Sequence, residues 1–149
     1  MVNNGRKQKP FLPKIWQEDS ESFEYEIIEP AIKGEKVALN LSLSGTVDND
    51  RITKVIGDDV SIWTITVQEP YNDFLKSENQ LSLFRESFRK LMDRIKLEHG
   101  QNGELHVFPA VPVSIAVEIG RVRMPKADLP LIVYDQPNKA DFSYSLTIE

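Results

Sequence analysis

Two short segments of the sequence carry residues that could bind a phosphate or a nucleotide. The first follows an alternating apolar run and is rich in hydroxyls and glycine: Ser42, Ser44, Gly45 and Thr46. Hydroxyls and a glycine backbone that a ligand can approach closely suit a phosphate or a ribose. An ordinary capped turn after a strand accounts for the same residues. Both interpretations remain open at this point.

The second segment leads from a short apolar run into a helical pattern. It combines prolines with apolar residues and ends in a serine: Phe108, Pro109, Ala110, Pro112 and Ser114. A proline-braced turn that opens a helix places the first free amides of that helix where an anion or nucleotide can bind. The two prolines each remove one amide, and tight packing of strand against helix without a ligand explains the segment equally well.

The motifs of common catalytic and metal sites are missing from the sequence. Its seven glycines form neither a G-x-G-x-x-G fingerprint nor a P-loop. Cysteine is absent, which excludes disulfides, thiolate metal sites and a cysteine nucleophile. The two histidines, His99 and His106, have no ligands at metal spacing, and no nucleophile elbow is visible. We therefore expect no metal and no cofactor, and no motif in the sequence indicates an enzyme.

Charge and composition indicate one globular domain rather than a nucleic-acid coat. The 149 residues are 40% apolar and carry a formal charge of -5, which argues against non-specific DNA or RNA binding. Basic residues on the longest helical pattern have acidic residues at i+4 offsets, typical of a solvated helix face. These basic residues are Arg85, Arg89, Lys90 and Arg94.

Hydrophobic periodicity predicts the elements that must position the two segments. Alternation predicts a first strand that begins at Val37 and ends at Gly45, and β-branched residues predict a second over residues 60–67. Three more strands are predicted over residues 104–108, 131–134 and 142–148. Helical spacing predicts a short helix over 48–56, a long helix over 77–100 opened by a capping box, and a helix over 112–123.

The helix predicted over 112–123 is apolar over most of its circumference. A narrow polar stripe interrupts it: Ser114, Glu118 and Arg121. This pattern predicts a nearly buried helix.

Strands separated by helices predict an α/β fold, a three-layer Rossmann-like sheet with flanking helices. Ligands of such sheets bind outside the carboxyl ends of the strands. Those ends bring residues 44–46 and 108–112 to one edge, together with Tyr71, Tyr134 and Asp135.

Residues 1–30 are predicted to be an arm or linker, and residues 31–149 the domain. The arm is basic up to Lys14 and acidic after it. It also contains a group of apolar residues, so we expect part of it to lie on this domain or on a neighbour: Phe11, Leu12, Ile15 and Trp16. No apolar stretch has the length of a membrane span or the form of a signal peptide, and a soluble cytoplasmic protein is expected.

The stretch LHVFPAVPVSIAVEIGRVRMPKADLPLIVYDQ resembles the signature of SAVED domains, sensors of bacterial antiviral systems related to the CARF fold. KVALNLSLSGTV resembles the first strand and turn of the family, and VSIWTITVQEP its second strand. The resemblance covers residues 11–148. A full SAVED domain has two CARF-like halves, and this chain has room for one, resembling the C-terminal half.

The resemblance implies a binding module rather than a catalyst. Its ligand would be a cyclic oligonucleotide such as a cyclic tri- or tetra-adenylate, made in CBASS or type III CRISPR defence. Binding would drive assembly with an effector, a complementary SAVED half or a second copy of the chain. Two alternatives stay open: a ring nuclease that degrades the messenger with help from Lys126 or His106, and a protein-assembly module without a ligand.

Carried onto this sequence, the resemblance implies a set of ligand contacts. They are Ser44, Gly45, Thr46, Tyr71, Phe108, Pro109, Ala110, Pro112, Ser114, Tyr134 and Asp135. Backbone amides and hydroxyls would contact phosphate and ribose, and Phe108 or Tyr71 would stack on a base. Tyr134 and Asp135 would read a base or ribose, while Arg121 and Lys126 are weaker candidates.

Overall fold

The computed structural model describes residues 24–71, 75–101, 103–124, 128–136 and 141–149. Within these ranges the chain forms six strands and three helices. The strands are β1 Glu26–Ile28, β2 Lys36–Ser42, β3 Val60–Thr66, β4 Leu105–Ala110, β5 Leu131–Asp135 and β6 Ser143–Ile148. The helices are α1 Asn49–Ile56, α2 Glu78–His99 and α3 Val113–Val122. The predicted elements are thereby confirmed within one or two residues at most ends.

The six strands form one sheet in the order β1-β3-β2-β4-β5-β6. The four central strands are parallel, with Val37 of β2 opposite Ser61 of β3 on one side and Leu105 of β4 on the other. β1 and β6 close the two edges as antiparallel strands. This confirms the predicted α/β class with a Rossmann-like parallel sheet.

Helices cover both faces of the sheet because the chain reverses direction after β3. From β2 the chain moves outward to β3, then crosses back to β4 and continues to β5. Right-handed crossovers place helices of opposite travel on opposite faces. The core between sheet and α2 and α3 contains Trp63, Phe88 and Ile115, and the core beneath α1 contains Ile52 and Phe108. Among the described helices none is long and apolar enough to cross a membrane.

The long helix α2 follows from its sequence signals. The Ser77 hydroxyl accepts a hydrogen bond from the Gln80 amide at 3.1 Å, which caps the first turn. Phe84, Phe88 and Ile95 face the core. The helix ends at Gly100, whose φ of +82° is readily adopted by glycine.

Strand β1 was not expected from the sequence, because a three-residue strand carries too little periodicity. It pairs with β3, with Ile27 opposite Ile65. Just before it, the Tyr25 ring packs edge-on against Phe84. The sheet therefore begins before residue 31, where the domain boundary was predicted.

The prediction that helix α3 is nearly buried is wrong. Ile115 and Ile119 do face the core, but Val113 is 81% exposed and Val117 is also exposed. Glu118, predicted to lie on a polar stripe, is 3% exposed and pairs with the Arg85 Nε of α2 at 2.5 Å. The sequence pattern shows that most sides of this helix are apolar, but it does not show whether another segment covers each side.

Candidate functional site

The site predicted from the sequence lies where the strand order reverses. Between β2 and β4 the connections leave the sheet in opposite directions, the position at which ligands bind in open α/β sheets. The turns after these two strands are joined by their backbones. The Leu43 and Ser44 amides both donate to the Ala110 carbonyl, at 3.0 and 2.8 Å. Residues 44–46 and 108–112 are thus brought together at the carboxyl edge, as predicted.

A buried polar network holds the turn after β2. The Asn40 side-chain amide donates to the Val47 carbonyl at 2.7 Å, and the Val47 amide donates to the Ser42 hydroxyl at 2.9 Å. The Ser42 hydroxyl in turn donates to Asn40 Oδ1 at 2.6 Å. Both side chains are buried, so the Ser42 hydroxyl fixes the turn and is not free for a phosphate. For Ser42, the structure therefore favours the other interpretation that the sequence left open, an ordinary turn after a strand.

Gly45 stands at the tip of this turn without a structural requirement for glycine. A Cβ added to it would meet no heavy atom of the described residues within 4 Å, and its φ lies outside the left-handed region. Ser44 and Gly45 are half-buried and Thr46 is exposed. The turn therefore presents open backbone and two hydroxyls, a surface that a ligand can approach closely.

Tyr71 joins the same edge through its backbone. Its amide donates to the Leu43 carbonyl at 3.1 Å, and the residue is 46% exposed. Lys76 Nζ lies 5.8 Å from the centre of this ring, within cation–π range. The sequence analysis did not identify Lys76 as a candidate. Its one signal in the sequence is its position directly before Ser77, the cap of a predicted helix.

The turn after β4 continues into the N-terminus of α3. The Ile115 and Ala116 amides both donate to the Pro112 carbonyl at 3.1 Å. The amides of Val113 and Ser114 occupy the first two helical positions, where no intrahelical acceptor exists. Ser114 itself is exposed. As expected from the prolines, the set of amides here is small.

Pro109 marks a gap in the sheet at this edge. Ala110 directs its carbonyl toward β2, so the adjacent Pro109 directs its backbone toward β5, since successive residues of a strand alternate. Pairing of β4 with β5 ends at Val107 and Val133. Proline is tolerated there because no ladder bond is lost. β4 and β5 thereby part toward the carboxyl edge, where Asp135 ends β5 exposed.

Two predicted ligand contacts are core residues instead. The Phe108 ring is buried and stacked on Tyr134, with centroids 4.4 Å apart and planes 8° apart. The Tyr134 hydroxyl lies 2.8 Å from Nδ1 of His106. Neither ring is available to a base in this structure, whereas Tyr71, the other residue predicted to stack on a base, is exposed. In a strand buried on both faces, sequence alternation does not reveal which side chains line the edge.

The histidines lie away from this edge. His106 is near the amino end of β4, and His99 Nε2 accepts a hydrogen bond from Trp63 Nε1 at 3.0 Å. Burial lowers the pKa of both imidazoles below the ordinary histidine value. No cluster of three or more metal-ligating side chains occurs in the part of the chain that is described. Lys126 lies outside the described residues.

The sequence predicted that the basic residues of α2 form a solvated face, but three of the four form ion pairs with other segments. Arg89 forms hydrogen bonds to both carboxylate oxygens of the buried Asp128. Arg85 pairs with Glu118, and Arg94 with Glu29 of the β1 segment at 2.7 Å. These arginines tie α2 to neighbouring segments, so they do not form an anion site.

The parallel sheet, with helices on both faces and a reversal of strand order, defines an open α/β fold of Rossmann-like type. The profile of the SAVED family, described as "SMODS-associated and fused to various effectors sensor domain", matches residues 6–149. The chain belongs to the SAVED family. No curated protein sequence matches it.

Solved structures of a SAVED/CARF-domain containing receptor, Cap4 of Acinetobacter baumannii, share the fold. The structure with the cyclic trinucleotide 2′3′3′-cAAA has a TM-score of 0.67 at 13% identity, and the one with 3′3′3′-cAAA has 0.64 at 15%. Each match covers 86% of this chain and 28% of the receptor chain. The chain thus spans under a third of the length of these receptors.

Proposed function

We propose that this chain is a sensor module that binds a cyclic oligonucleotide at the edge formed by the turns after β2 and β4. The observation that carries the proposal is the joining of these two turns at the strand-order reversal of a SAVED-family sheet. The Cap4 receptors of the same fold bind cyclic trinucleotides, which supports this ligand class here.

Each exposed group at the edge has a role suited to a phosphodiester ring. Backbone and hydroxyls of residues 44–46, with the Val113 and Ser114 amides, donate to phosphate or ribose oxygens. Tyr71 offers an exposed ring for base stacking. Lys76, beside that ring, supplies positive charge to a protein of net charge -5.

Binding is proposed to control assembly with an effector, a complementary SAVED half or a second copy in antiviral defence. The exposed apolar side of α3 supports such a partner surface, since it begins directly at the ligand edge. Gly120 on this helix is exposed, and a Cβ there would meet nothing within 4 Å. Within the described residues, neither backbone conformation nor packing requires a glycine at this position, whereas a closely approaching partner would.

The test measures binding and mass together. Wild-type protein is titrated with cyclic di-, tri- and tetranucleotides by calorimetry, and the same mixtures are examined by size-exclusion light scattering. We expect one ring class to bind and to raise the mass. Gly45→Ala is expected to lower the affinity at least about tenfold. Its methyl group would occupy the space next to the backbone that the ligand approaches, and it would leave the fold undisturbed.

A matched set of variants separates contact from charge. Lys76→Ala and Tyr71→Ala are expected to weaken binding about tenfold, whereas Lys90→Ala, an exposed lysine of α2 outside the edge, leaves it unchanged. Binding unaffected by Gly45→Ala would place the ligand elsewhere. Linear products would favour the ring nuclease, and assembly without any nucleotide would favour the ligand-free module.

A further inference from the structure

A groove runs along β3 on the side of the sheet that carries α1. Two adjoining clefts of about 410 and 330 Å³ share the lining residues Ile28, Asn49 and Thr64. Together they follow the seven residues of β3, which rise roughly 20 Å. The groove lies between α1 and the β1 segment, outside the edge assigned to the nucleotide except for Thr46 at its carboxyl end.

The groove has an apolar floor and an acidic rim. Ile28 and Ile32 are exposed, Ile32 by 70%, and they lie in the larger cleft with Ile62. Glu29, Asp50 and Asp58 line that cleft as well, and Glu29 also pairs with Arg94 of α2. The described lining residues of both clefts include no lysine or arginine. Such a surface is complementary to a segment that is both basic and apolar.

The chain itself contains a segment of that composition. Residues 1–17, which precede the described part, include no acidic residue. Basic and apolar residues alternate in short groups: Arg6, Lys7, Lys9, Phe11, Leu12, Lys14, Ile15 and Trp16. Pro10 and Pro13 disfavour helix and favour an extended backbone, the form that a narrow groove admits.

We propose that residues 6–16 dock in this groove of the same chain, with the apolar side chains on the isoleucine floor and the basic ones along the acidic rim. The geometry permits it. The described chain begins at Glu24, four residues before Ile28 in the groove wall. The eight residues from Trp16 to Glu24 span up to about 28 Å, more than the length of the groove. The short tether raises the effective concentration of the segment.

Tryptophan quenching tests the proposal in the full-length chain. Trp63 is 0% exposed, so quenching by acrylamide reports on Trp16. We expect the quenching constant of Trp16 to be at least about threefold below that of free tryptophan amide in low salt, and to rise in 1 M salt as the charge attraction is screened. The variant Asp50→Asn/Asp58→Asn is expected to raise the quenching constant of Trp16 about twofold, because it removes two charges of the acidic rim.

A control variant removes two charges outside the groove. Glu69→Gln/Glu78→Gln alters two exposed acids, and Glu78 stands in a first helical turn as Asp50 does. It should leave Trp16 protected. Full exposure of Trp16 in the wild type, or equal quenching in both double variants, overturns the proposal. Protection that disappears on dilution together with a doubled mass assigns the segment to a second copy and also overturns it.

Discussion

Helices α2 and α3 lie side by side on one face of the sheet, yet they divide their apolar residues differently. α2 turns Phe84, Phe88 and Ile95 to the core and its charges outward. α3 buries Ile115 and Ile119, exposes valines on its other side, and buries a glutamate. A helix that is apolar all round calls for cover on both sides. Among the described residues, the sheet and α2 cover one side of α3 and leave the other side exposed.

The largest expected effect is on the core side of α2. Phe88→Ala should lower the free energy of unfolding by about 3–5 kcal/mol, because it leaves a cavity where a buried ring packs against Phe84. Denaturant titration measures it. Leu97→Ala on the exposed side of the same helix is the control and should change stability by less than about 0.5 kcal/mol. Equal losses in both would refute the assigned orientation of α2.

The next largest effect concerns the polar tie between the two helices. Asp128, just after α3, is buried and accepts from Arg89 of α2 and from the Met124 amide. Burial raises its pKa, but these hydrogen bonds outweigh burial and hold the pKa below the ordinary aspartate value. Asp128→Asn should cost about 2–3 kcal/mol near pH 7.

The lowered pKa of Asp128 gives this loss a pH dependence of known sign. The stabilisation is fully present above the unfolded-state pKa of about 4 and is lost as the pH falls through the lower folded-state pKa. The wild-type and Asp128→Asn stability curves should therefore converge in acid. Curves that stay parallel down to about pH 2 would contradict the assigned ion pair.

A smaller effect of opposite sign is expected on the exposed side of α3. Gly120→Ala should raise the free energy of unfolding of the isolated chain by about 0.5–1 kcal/mol, because alanine is the better helix former and its Cβ meets open space. Thermal unfolding measures the shift. The same variant should weaken assembly with a partner. If Gly120→Ala instead destabilised the isolated chain, the open space around Gly120 would be contradicted.

The smallest expected change in stability is at an exposed valine of α3, because this side chain does not pack in the core. Val117→Ser should change the free energy of unfolding by less than about 0.5 kcal/mol. It should leave nucleotide affinity unchanged and abolish the rise in mass, as measured by light scattering. If Val117→Ser assembles like the wild type, this side of α3 is not the partner surface.

The elements of the fold were predictable because their signals are local. The Ser77 cap, the alternation from Val37 and the β-branched run at Val60–Thr66 each specify a strand or helix within a few residues. Strand β1 escaped prediction because it depends on pairing with a strand more than thirty residues away. The exposure of one side of α3 was not predicted, because an apolar sequence pattern does not show whether another segment packs against that side.

The site was predictable as a place and less so as a set of side chains. Residues 44–46 and the turn after β4 meet as the parallel topology requires. Phe108 could not be distinguished from an edge residue, since its stacking on Tyr134 depends on the face it occupies in a doubly covered strand. Lys76 became visible only once folding set it against Tyr71.

The buried Asn40 and Ser42 network beneath the turn has a thermodynamic consequence. The conformational entropy of residues 43–47 is lost when the domain folds, not when a ligand arrives. If the turn binds a ligand as proposed, it would do so without an ordering cost of its own. In the proposed function, ring size would then be selected by the spacing that this turn already has to the turn after β4.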